Sequence, residues 1–304
     1  MTEFPAHVAV LVVSYGSPSL LAENLTPLTR AVPELSCVVV DNPTTAANRD
    51  AARQLAQAEG WAFLEPDQNG GFGAGMNLAA ARALADGAEV LVLLNPDAVI
   101  SPEDLQRLVE GTDPMTIAGP VIVDDEGTVV SDGMVCALAD GSMRSRRSKL
   151  PLPPGPVQRW LSGACLSVGA PLWRLLGGFD ESYFLYWEEI DLAARAEALG
   201  GKLRLVRDAR AVHMEGGTQE RETTSRAKSN TYYYYNTRNR AMYAQHCLPA
   251  STQLRWALSA PLAAREILLR GGRRQLLASR APAVATARGL LDGWRILLRS
   301  RSAG

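Results

Sequence analysis

The stretch Val90-Leu91-Val92-Leu93-Leu94-Asn95-Pro96-Asp97 decides the fold, because an unbroken apolar run ends there in an amide, a proline and a carboxylate. A run this short, rich in valine and leucine and without polar alternation, predicts a strand buried on both faces of a parallel sheet. Asp97 then lies at the carboxyl end of the strand, which is the edge where open α/β sheets bind ligands. Taken alone, Asn95-Pro96-Asp97 is equally well explained as a turn into the next helix.

The segments around this strand repeat its pattern. Apolar runs at His7–Val13 and Leu35–Val40 each end in a polar pair, Ser14-Tyr15 and Asp41-Asn42, and helical segments separate the runs. Strands that alternate with helices in units of about 30 residues indicate parallel βαβ construction. The sequence therefore predicts that three strands end in polar clusters at one edge of a sheet.

A glycine-rich segment, predicted as a loop, runs from Asp67 to Asn77 after the third strand and contains Gly71-Phe72-Gly73. It does not match the dinucleotide fingerprint, which requires a third glycine where Met76 stands and a position after the first strand. Two interpretations stay open. The glycines permit a tight turn, or they let backbone N–H groups between Asn69 and Asn77 approach a phosphate or ribose.

The second half of the chain lacks the regular alternation of strands and helices. Residues 132–156 are predicted as a long loop with a basic cluster (Arg144, Arg146, Arg147 and Lys149), which either contacts substrate or is a solvated surface. A helix is predicted from Glu188 to Leu199, with aromatic residues at its amino end. Glu188 and Glu189 there are candidates for a general base in a partly desolvated pocket, or they favour the helix amino terminus electrostatically.

Composition narrows the class of protein. With 304 residues, 47% hydrophobic and 21% charged, the chain has an ordinary globular composition. The four cysteines are scattered without a Cys-x-x-Cys pair, which argues against a disulfide framework or zinc site and favours a reducing cytoplasm. Residues 1–5 do not resemble a secretory signal, and no apolar run reaches the length of a membrane span, so we expect a cytoplasmic protein.

The carboxyl-terminal segment is basic although the net charge of the chain is −1. From residue 251 onward only Glu266 and Asp292 oppose the arginines at 255, 265, 270, 273, 274, 280, 288, 295, 299 and 301. Apolar residues from Ala287 to Leu298 recur at helical spacing opposite charged ones. Such a basic amphipathic helix is suited to peripheral contact with the inner face of a membrane, and the alternatives are packing on the preceding domain or on a second subunit in a homodimer. No nucleic-acid-binding motif accompanies the charge.

Seven motifs follow one another in a fixed order, and together they identify a family. They are Ser14-Tyr15, Asp41-Asn42, Asn69 to Asn77, Asn95-Pro96-Asp97, Gly178 to Phe184, Glu188 to Leu192, and His213. In this order the chain resembles the inverting family 2 glycosyltransferases of the GT-A fold, most of all their bacterial rhamnosyltransferase-like branch, over about residues 8–245.

The resemblance implies an architecture. It is an α/β fold with a Rossmann-like mixed, mostly parallel sheet flanked by helices. Residues 1–250 would form the GT-A domain, with a nucleotide-sugar half at about 1–115 and an acceptor half at about 116–250. Residues 251–304 would form a basic, amphipathic helical extension.

The resemblance also implies roles for individual residues. Asp97 matches the last aspartate of the family's Asp-x-Asp metal motif, and His213 matches a histidine that completes the metal site. Glu189 stands where the family has its general base, with Glu188 and Asp191 as lesser candidates. The residues that would hold the nucleotide-sugar donor are Ser14, Tyr15, Asp41, Asn42, Asn69, Gly71, Phe72, Gly73, Asn77 and Asn95.

The implied activity is metal-dependent, inverting transfer of a hexose to a hydroxyl group of a glycan, a lipid-linked sugar or a secondary metabolite. L-Rhamnose from dTDP-rhamnose is the first choice, followed by another dTDP- or UDP-hexose, because Asp41 is suited to accept the N3–H of thymine or uracil. The chain departs from the family's motifs at two positions. Asn95 replaces the first carboxylate of the metal motif, and Glu189 replaces an aspartate. Either Mg²⁺ or Mn²⁺ remains suitable as the cation. The alternative is a nucleotide-sugar-binding protein without turnover.

Overall fold

A nine-stranded mixed sheet forms the centre of the computed structural model, which describes residues 4, 6–145, 148, 151–214 and 227–299. A separate three-stranded sheet accompanies it. The strands in chain order are β1 (Val8–Ser14), β2 (Ser36–Asp41), β3 (Ala62–Leu64), β4 (Val90–Leu94), β5 (Ala98–Ile100), β6 (Thr116–Val123), β7 (Val129–Ser131), β8 (Met134–Ala137), β9 (Met143–Ser145), β10 (Val157–Trp160), β11 (Cys165–Gly169) and β12 (Lys202–His213).

The helices flank the large sheet on both faces and extend to the carboxyl end. They are α1 (Pro18–Leu20), a π-helical stretch (Leu21–Leu25), α2 (Thr26–Ala31), α3 (Ala46–Glu59), α4 (Gly71–Ala85), α5 (Pro102–Glu110), α6 (Ala170–Leu176), α7 (Glu188–Ala198), α8 (Asn230–Cys247), α9 (Ala250–Leu269), α10 (Arg273–Ala278) and α11 (Ala281–Arg299).

The order of the strands brings the predicted polar clusters to one edge. The large sheet runs β3-β2-β1-β4-β11-β6-β12-β5, with β7 paired to β6. The first four strands in this order are parallel, whereas β11 lies antiparallel between β4 and β6. The carboxyl ends of β1, β2 and β4 therefore lie side by side, and the predicted mixed α/β architecture is confirmed.

Alternating residues of the central strands enter two separate cores. Val8, Val10 and Val12 of β1 pack with the π-helical stretch, α2, α3 and α5. Ala9 and Leu11 pack on the other face with α4, α6 and α7. Every residue of β1 and β4 is buried, as the unbroken apolar runs predicted.

The glycine-rich segment is a helix rather than a loop over most of its length, which corrects the sequence prediction. Helix α4 begins at Gly71, whose backbone has a φ of +89°. A Cβ at Gly71 would overlap the carbonyl oxygen of Phe184, and one at Gly75 would lie 2.8 Å from a methyl group of Val13. The glycines are needed because α4 packs closely against β1 and the segment around Phe184.

The predicted loop at residues 132–156 is also partly wrong. The segment contains β8 and β9, and β8 pairs with β10 to form the three-stranded sheet. Its proline and arginine residues suggested a loop, but Cys136 and Ala137 are buried and anchor a strand. Arg146, Arg147 and Lys149 of the predicted basic cluster lie outside the described residues.

The carboxyl-terminal helix α11 packs on α8 and α9. Trp294 Nε1 donates a hydrogen bond to the carbonyl of Ala257 at 3.0 Å, and Tyr234 donates one to Asp292 at the same distance. These contacts show that α11 packs on the rest of the chain, which is one of the three predicted alternatives. Across the ranges that the structure describes, no helix is both long and apolar enough to span a membrane.

Candidate active site

The first part of the site lies where β1 and β2 end. Ser14 and Asp41 are register partners in the parallel pair, and the amide of Asn42 donates to the carbonyl of Ser14 at 2.9 Å. Ser14 and Asp41 are buried, whereas Tyr15 beside them is 53% exposed. A buried carboxylate therefore lies beside an exposed aromatic residue at this end of the sheet.

Asp41 retains an unused hydrogen-bond acceptor. Its Oδ2 and the hydroxyl of Ser14 are buried without a hydrogen-bond partner in the described structure. Burial raises the pKa of the Asp41 carboxyl, while the nearby Ser14 hydroxyl and the Arg49 guanidinium, 3.5 Å from Oδ2, oppose that change. Beyond the Arg49 ion pair, Asp41 Oδ2 keeps capacity to accept a hydrogen bond from a ligand N–H.

Two backbone amides at the amino end of α4 are engaged within the protein. Asn69 Oδ1 accepts the Gly71 N–H at 2.9 Å, and the Phe72 N–H donates to the carbonyl of Phe184 at 3.1 Å. Asn42 Nδ2 lies 3.4 Å from the carbonyl of Gly71. These contacts show a third use of the glycines, close packing within the protein, which neither of the two interpretations had stated.

Asn77 joins α4 to the segment that follows Gly178. Its amide exchanges two hydrogen bonds with the backbone of Phe179, at 2.9 and 2.8 Å, and also donates to Glu181. Gly73 leaves room for the Phe179 side chain, because a Cβ there would lie 3.0 Å from the Cβ of Phe179. Both of these predicted donor residues therefore serve contacts within the protein.

The second part of the site is formed by Asp97 and His213. Asp97 is buried just beyond β4, and its Oδ1 lies 3.2 Å from Nε2 of His213 at the end of β12. The amide of Met214 donates to the Asp97 carbonyl, and Asn95 donates its own amide to Ala164. The sheet therefore brings together two groups that are 116 residues apart in the chain.

This pair fits a divalent cation. Adjacent ligands of an octahedral ion at about 2.1 Å lie roughly 3 Å apart, which matches the 3.2 Å between the Asp97 oxygen and the His213 nitrogen. Among the residues described, no cluster of three or more His, Cys, Asp or Glu side chains could bind a metal alone. An ion held here would take its remaining ligands from a substrate and from water.

The third part of the site is the carboxylate pair at the start of α7. Glu188 is 3% exposed, and its Oε2 has no hydrogen-bond partner among the described residues. Burial, reinforced by the negative charge of Glu189, raises the pKa of Glu188 well above its ordinary value. Burial also raises the pKa of Glu189, whereas backbone amides, including that of Gly163, oppose the increase.

Glu189 reaches toward the end of β4. A Cβ at Gly163 would lie 2.5 Å from Glu189 Oε1, so the carboxylate fits against a residue that must lack a side chain. The neighbouring Ala164 accepts the amide of Asn95. Glu189 therefore lies one residue along the chain from the partner of the Asn95 amide, and it is the more accessible member of the pair.

This constellation can be compared with known proteins. Residues 9–132 match the family described as Glycosyl transferase family 2. Over this segment the chain is similar to the family 2 glycosyltransferases, and the order of its motifs resembles that of their rhamnosyltransferase-like branch.

Two curated relatives support this assignment. The N-acetylglucosaminyl-diphospho-decaprenol L-rhamnosyltransferase of Mycobacterium tuberculosis is 27% identical, covering 86% of this chain and 92% of that protein. Rhamnosyltransferase WbbL of Escherichia coli K12 is 25% identical, covering 68% of this chain and 83% of that protein.

A solved structure supports the fold. The mannosyltransferase PcManGT of Pyrobaculum calidifontis, in complex with GDP-Man and Mn²⁺, has a TM-score of 0.53 and 15% sequence identity. The match covers 99% of this chain and 87% of that chain. The GT-A fold predicted from the sequence is confirmed.

In this glycosyltransferase, Asp191 is held away from the open site. Its carboxylate accepts a hydrogen bond from Arg195 Nε at 2.7 Å and is almost fully buried. Arg195 also donates to the carbonyls of Leu176 and Gly178. The pair therefore ties α7 to the segment that carries Phe179.

The turn before the glutamates is strained. Tyr186 and Trp187 have φ values of +68° and +77°, which residues other than glycine rarely adopt. Such a conformation costs about 1–3 kcal/mol per residue and persists only where the surroundings hold it. Asn239 of α8 does this, because its amide donates to the carbonyls of both Leu185 and Tyr186 at 2.9 Å.

Three residues of the site escaped the sequence interpretation. Arg49 ion-pairs with Asp41, Asn24 donates to the carbonyl of Pro96 at 2.8 Å, and Asn239 holds the turn before Glu188. Asn24 lies in the π-helical stretch, a local irregularity that often marks functional sites. Asn24 and Asn239 are buried polar residues, whereas Arg49 is half-buried beside a buried carboxylate.

The raised pKa of Glu188 predicts how stability depends on pH. The folded protein binds a proton more tightly here than the unfolded chain does, so stability falls as pH rises from the ordinary glutamate pKa through the raised one. If folding raises the pKa by one, the free energy of unfolding is lower by about 1.4 kcal/mol at pH values above the raised pKa than at pH values below the ordinary one. We expect Glu188→Gln to be more stable than the wild type at pH 8 and equally stable near pH 4. Urea unfolding at the two pH values checks this, and equal stability at pH 8 contradicts it.

Proposed function

We propose that this glycosyltransferase moves a hexose from a dTDP- or UDP-sugar to a hydroxyl acceptor, with inversion and with a divalent cation. L-Rhamnose from dTDP-L-rhamnose is the donor we favour. One observation carries the proposal: the sheet places a buried carboxylate at Asp41 beyond β2 and the Asp97–His213 pair beyond β4 and β12, and Glu189 packs against Gly163, just before β11, which pairs with β4. In this arrangement Asp41 would bind the nucleobase, Asp97 and His213 would bind the cation, and the glutamate pair would supply the base.

In this proposal Asp41 and Ser14 receive the nucleobase. Asp41 Oδ2 accepts the N3–H of thymine or uracil, and Arg49 holds the carboxylate in position. Tyr15, which is exposed at the rim, covers the base or the ribose. Asn42, Asn69, Gly71 and Phe72 shape the wall of the pocket through their contacts with one another and with Phe184.

Asp97 and His213 would hold the cation, with the amide of Asn95 beside them. When bound, the ion supplies charge neutralisation for the departing nucleoside diphosphate. The protein orients this pair rigidly, because Asn24 fixes Pro96 from one side and the Asp97 carbonyl accepts the Met214 amide from the other.

Glu189 would be the general base. It is less buried than Glu188 and lies against Gly163, whereas Glu188 is enclosed and keeps its proton longer. Glu189 then removes the proton of the acceptor hydroxyl as the oxygen attacks the anomeric carbon. A base on the face opposite the departing diphosphate produces inversion.

Two residues receive a different role from the one first predicted. Asn77 and Asp191 act as positioning residues, because their side chains are engaged by Phe179 and Arg195. They hold the segment between Gly178 and the glutamates in place. The domain boundary near residue 250, a cytoplasmic location and peripheral membrane contact through the tail remain parts of this proposal.

A second function, binding of a nucleotide sugar without turnover, is favoured by one feature. Asn95 replaces a carboxylate, so within the part of the chain that the structure describes Asp97 and His213 are the two protein ligands offered for a cation. Binding of a donor without its consumption, with lipid-linked and soluble hydroxyl acceptors supplied, would establish this alternative.

A panel of nucleotide sugars tests the donor. We expect dTDP-L-rhamnose with Mn²⁺ to raise the unfolding temperature by several degrees, since ligand at 100 times its Kd stabilises by about 2.7 kcal/mol. GDP-mannose should protect much less, and Asp41→Leu should abolish protection by dTDP-L-rhamnose. Equal protection by GDP-mannose would contradict the base assignment, and the absence of protection by every donor would contradict the proposed function.

A further inference from the structure

The segment from Ser182 to Trp187 connects the amino end of α4 with the glutamate pair. Near its middle, the carbonyl of Phe184 accepts the N–H of Phe72, the second residue of α4, at 3.1 Å. At its end, Trp187 directly precedes Glu188, where α7 begins. The path of this backbone therefore decides where the first turn of α7 lies relative to α4.

The last two residues of this segment have a backbone conformation that side chains disfavour. Tyr186 and Trp187 have φ values of +68° and +77°, and no other non-glycine residue that the structure describes has a positive φ. Strain of this kind persists only where surrounding groups hold it, and it occurs mostly at functional sites. Its position directly before the glutamates indicates a role in the site.

Asn239 of α8 supplies the hydrogen bonds that hold this turn. Its Nδ2 donates to the carbonyls of Leu185 and Tyr186, both at 2.9 Å. The residue is fully buried, so solvent does not compete for these two carbonyls. One amide group therefore fixes two successive peptide units of the strained turn.

Arg238 determines which way the amide of Asn239 faces. Its Nη1 donates to Oδ1 of Asn239 at 2.7 Å and to the carbonyl of Ser182 at 3.3 Å. Because a guanidinium donates hydrogen bonds and accepts none, it binds the amide oxygen and leaves the amide NH₂ group for the turn. The two neighbouring residues of α8 therefore hold both ends of the segment.

The side chains of the strained residues are packed against the same helix. The ring of Trp187 is 4% exposed, and its centroid lies 5.6 Å from that of Tyr243. The ring of Tyr186 lies edge-on to that of Tyr232, with centroids 5.4 Å apart. Helix α8 thus holds both the backbone and the side chains of the turn, and the glutamates follow it without an intervening residue.

Resting on the proposed function, we infer that Asn239 is a positioning residue for the general base, because it holds the strained turn that keeps the Glu189 carboxylate in place against Gly163. The hydrogen bonds of its side chain join it to the turn and to Arg238, so it acts on the base through the backbone. Without these bonds the turn relaxes toward negative φ, and the first turn of α7 moves with it.

Asn239→Ala tests this role by separating turnover from binding. We expect kcat for sugar transfer to fall about a hundredfold, since a misplacement of about 1 Å has an effect of that size. KM for the donor and the affinity for dTDP in calorimetry should change by less than about threefold, because the donor contacts are intact. The acid limb of the pH profile of kcat should remain, since the base is displaced and not removed.

Replacing Tyr186 by glycine provides a rescue that depends on the backbone. Glycine adopts a positive φ without steric cost, so it keeps the turn in place with less help from the amide. We expect Asn239→Ala/Tyr186→Gly to have a kcat about tenfold higher than Asn239→Ala/Tyr186→Ala, since a Cβ disfavours the left-handed conformation. Both double variants lack the tyrosine ring, so the comparison isolates the φ preference.

Asn236→Ala is the matched control, since Asn236 lies on the same helix and its amide donates to the carbonyl of Tyr232 within that helix at 3.1 Å. It should retain the kcat of the wild type. If Asn239→Ala does not fold, Asn239→Asp takes its place in the same comparisons. That variant keeps the size of the side chain and its contact with Arg238 but has no N–H to donate to the turn.

Three results would overturn this inference while the wild type turns over. They are equal kcat in the two double variants, wild-type kcat in folded Asn239→Ala, and loss of dTDP binding in parallel with kcat, which would make Asn239 a residue of the fold alone. Absence of turnover in the wild type while dTDP binds would reject the proposed function and this inference with it. The two failures are therefore distinguishable by the wild type.

Discussion

Replacing Glu189 by glutamine is expected to lower kcat for sugar transfer by about a thousandfold, within the range of roughly 10²–10⁴ that general-base catalysis contributes. The substitution keeps the shape of the side chain against Gly163 and removes its ability to accept a proton. KM for the donor should change little, because the proposed donor contacts lie at Asp41 and Asp97. The acid limb of the pH profile of kcat should disappear with the carboxylate.

The surrounding carboxylates provide the controls for this prediction. Glu197→Gln changes the same helix at an exposed position and should retain full kcat. Glu188→Gln should reduce kcat less than Glu189→Gln, because Glu188 would act mainly through the pKa of its neighbour. If Glu189→Gln keeps kcat within about tenfold of the wild type while Glu188→Gln loses it, Glu188 is the base and the assignment is wrong.

Replacing Asp97 by asparagine is expected to reduce transfer by at least a hundredfold and to remove the dependence of donor binding on Mn²⁺. The amide preserves the size of the side chain and its contact with His213, but it removes the one carboxylate that the described part of the chain offers beside His213. Without that charge a divalent cation is held weakly, and the leaving diphosphate is less well neutralised. Calorimetric titration of dTDP with and without Mn²⁺ measures the effect separately from turnover.

Asp86→Asn is the matched control, since Asp86 pairs with Arg82 on the exposed end of α4. It should bind dTDP with the same enhancement by Mn²⁺ as the wild type does. Retention of that enhancement in Asp97→Asn as well would contradict the proposed cation site.

The sequence predicted which strand ends would meet, but not how the polar residues there would be used. Unbroken apolar runs placed Ser14, Asp41 and Asp97 at one edge, because parallel strands buried on both faces leave few other arrangements. The use of Asn77 was not predictable in this way, since its partner Phe179 lies 102 residues later. Local sequence patterns carry no information about such long-range pairings.

The glycines also show that the sequence does not reveal long-range partners. Their clustering indicated a backbone that approaches something closely, and that inference was sound. The neighbour of Gly71 is the carbonyl of Phe184, a residue far along the chain, rather than a ligand. Likewise, the strained turn at Tyr186 and Trp187 depends on Asn239 of α8, a contact between residues more than 50 positions apart.

The central claim is that these groups perform inverting transfer, and the anomeric configuration of the product tests it most directly. The wild type would be incubated with dTDP-L-rhamnose, Mn²⁺ and an N-acetylglucosaminyl diphosphate that carries a short polyprenyl chain, and the new linkage followed by NMR. We predict a rhamnoside whose anomeric configuration is opposite to that of the donor. A product with retained configuration, or no product while the donor binds, would contradict the account.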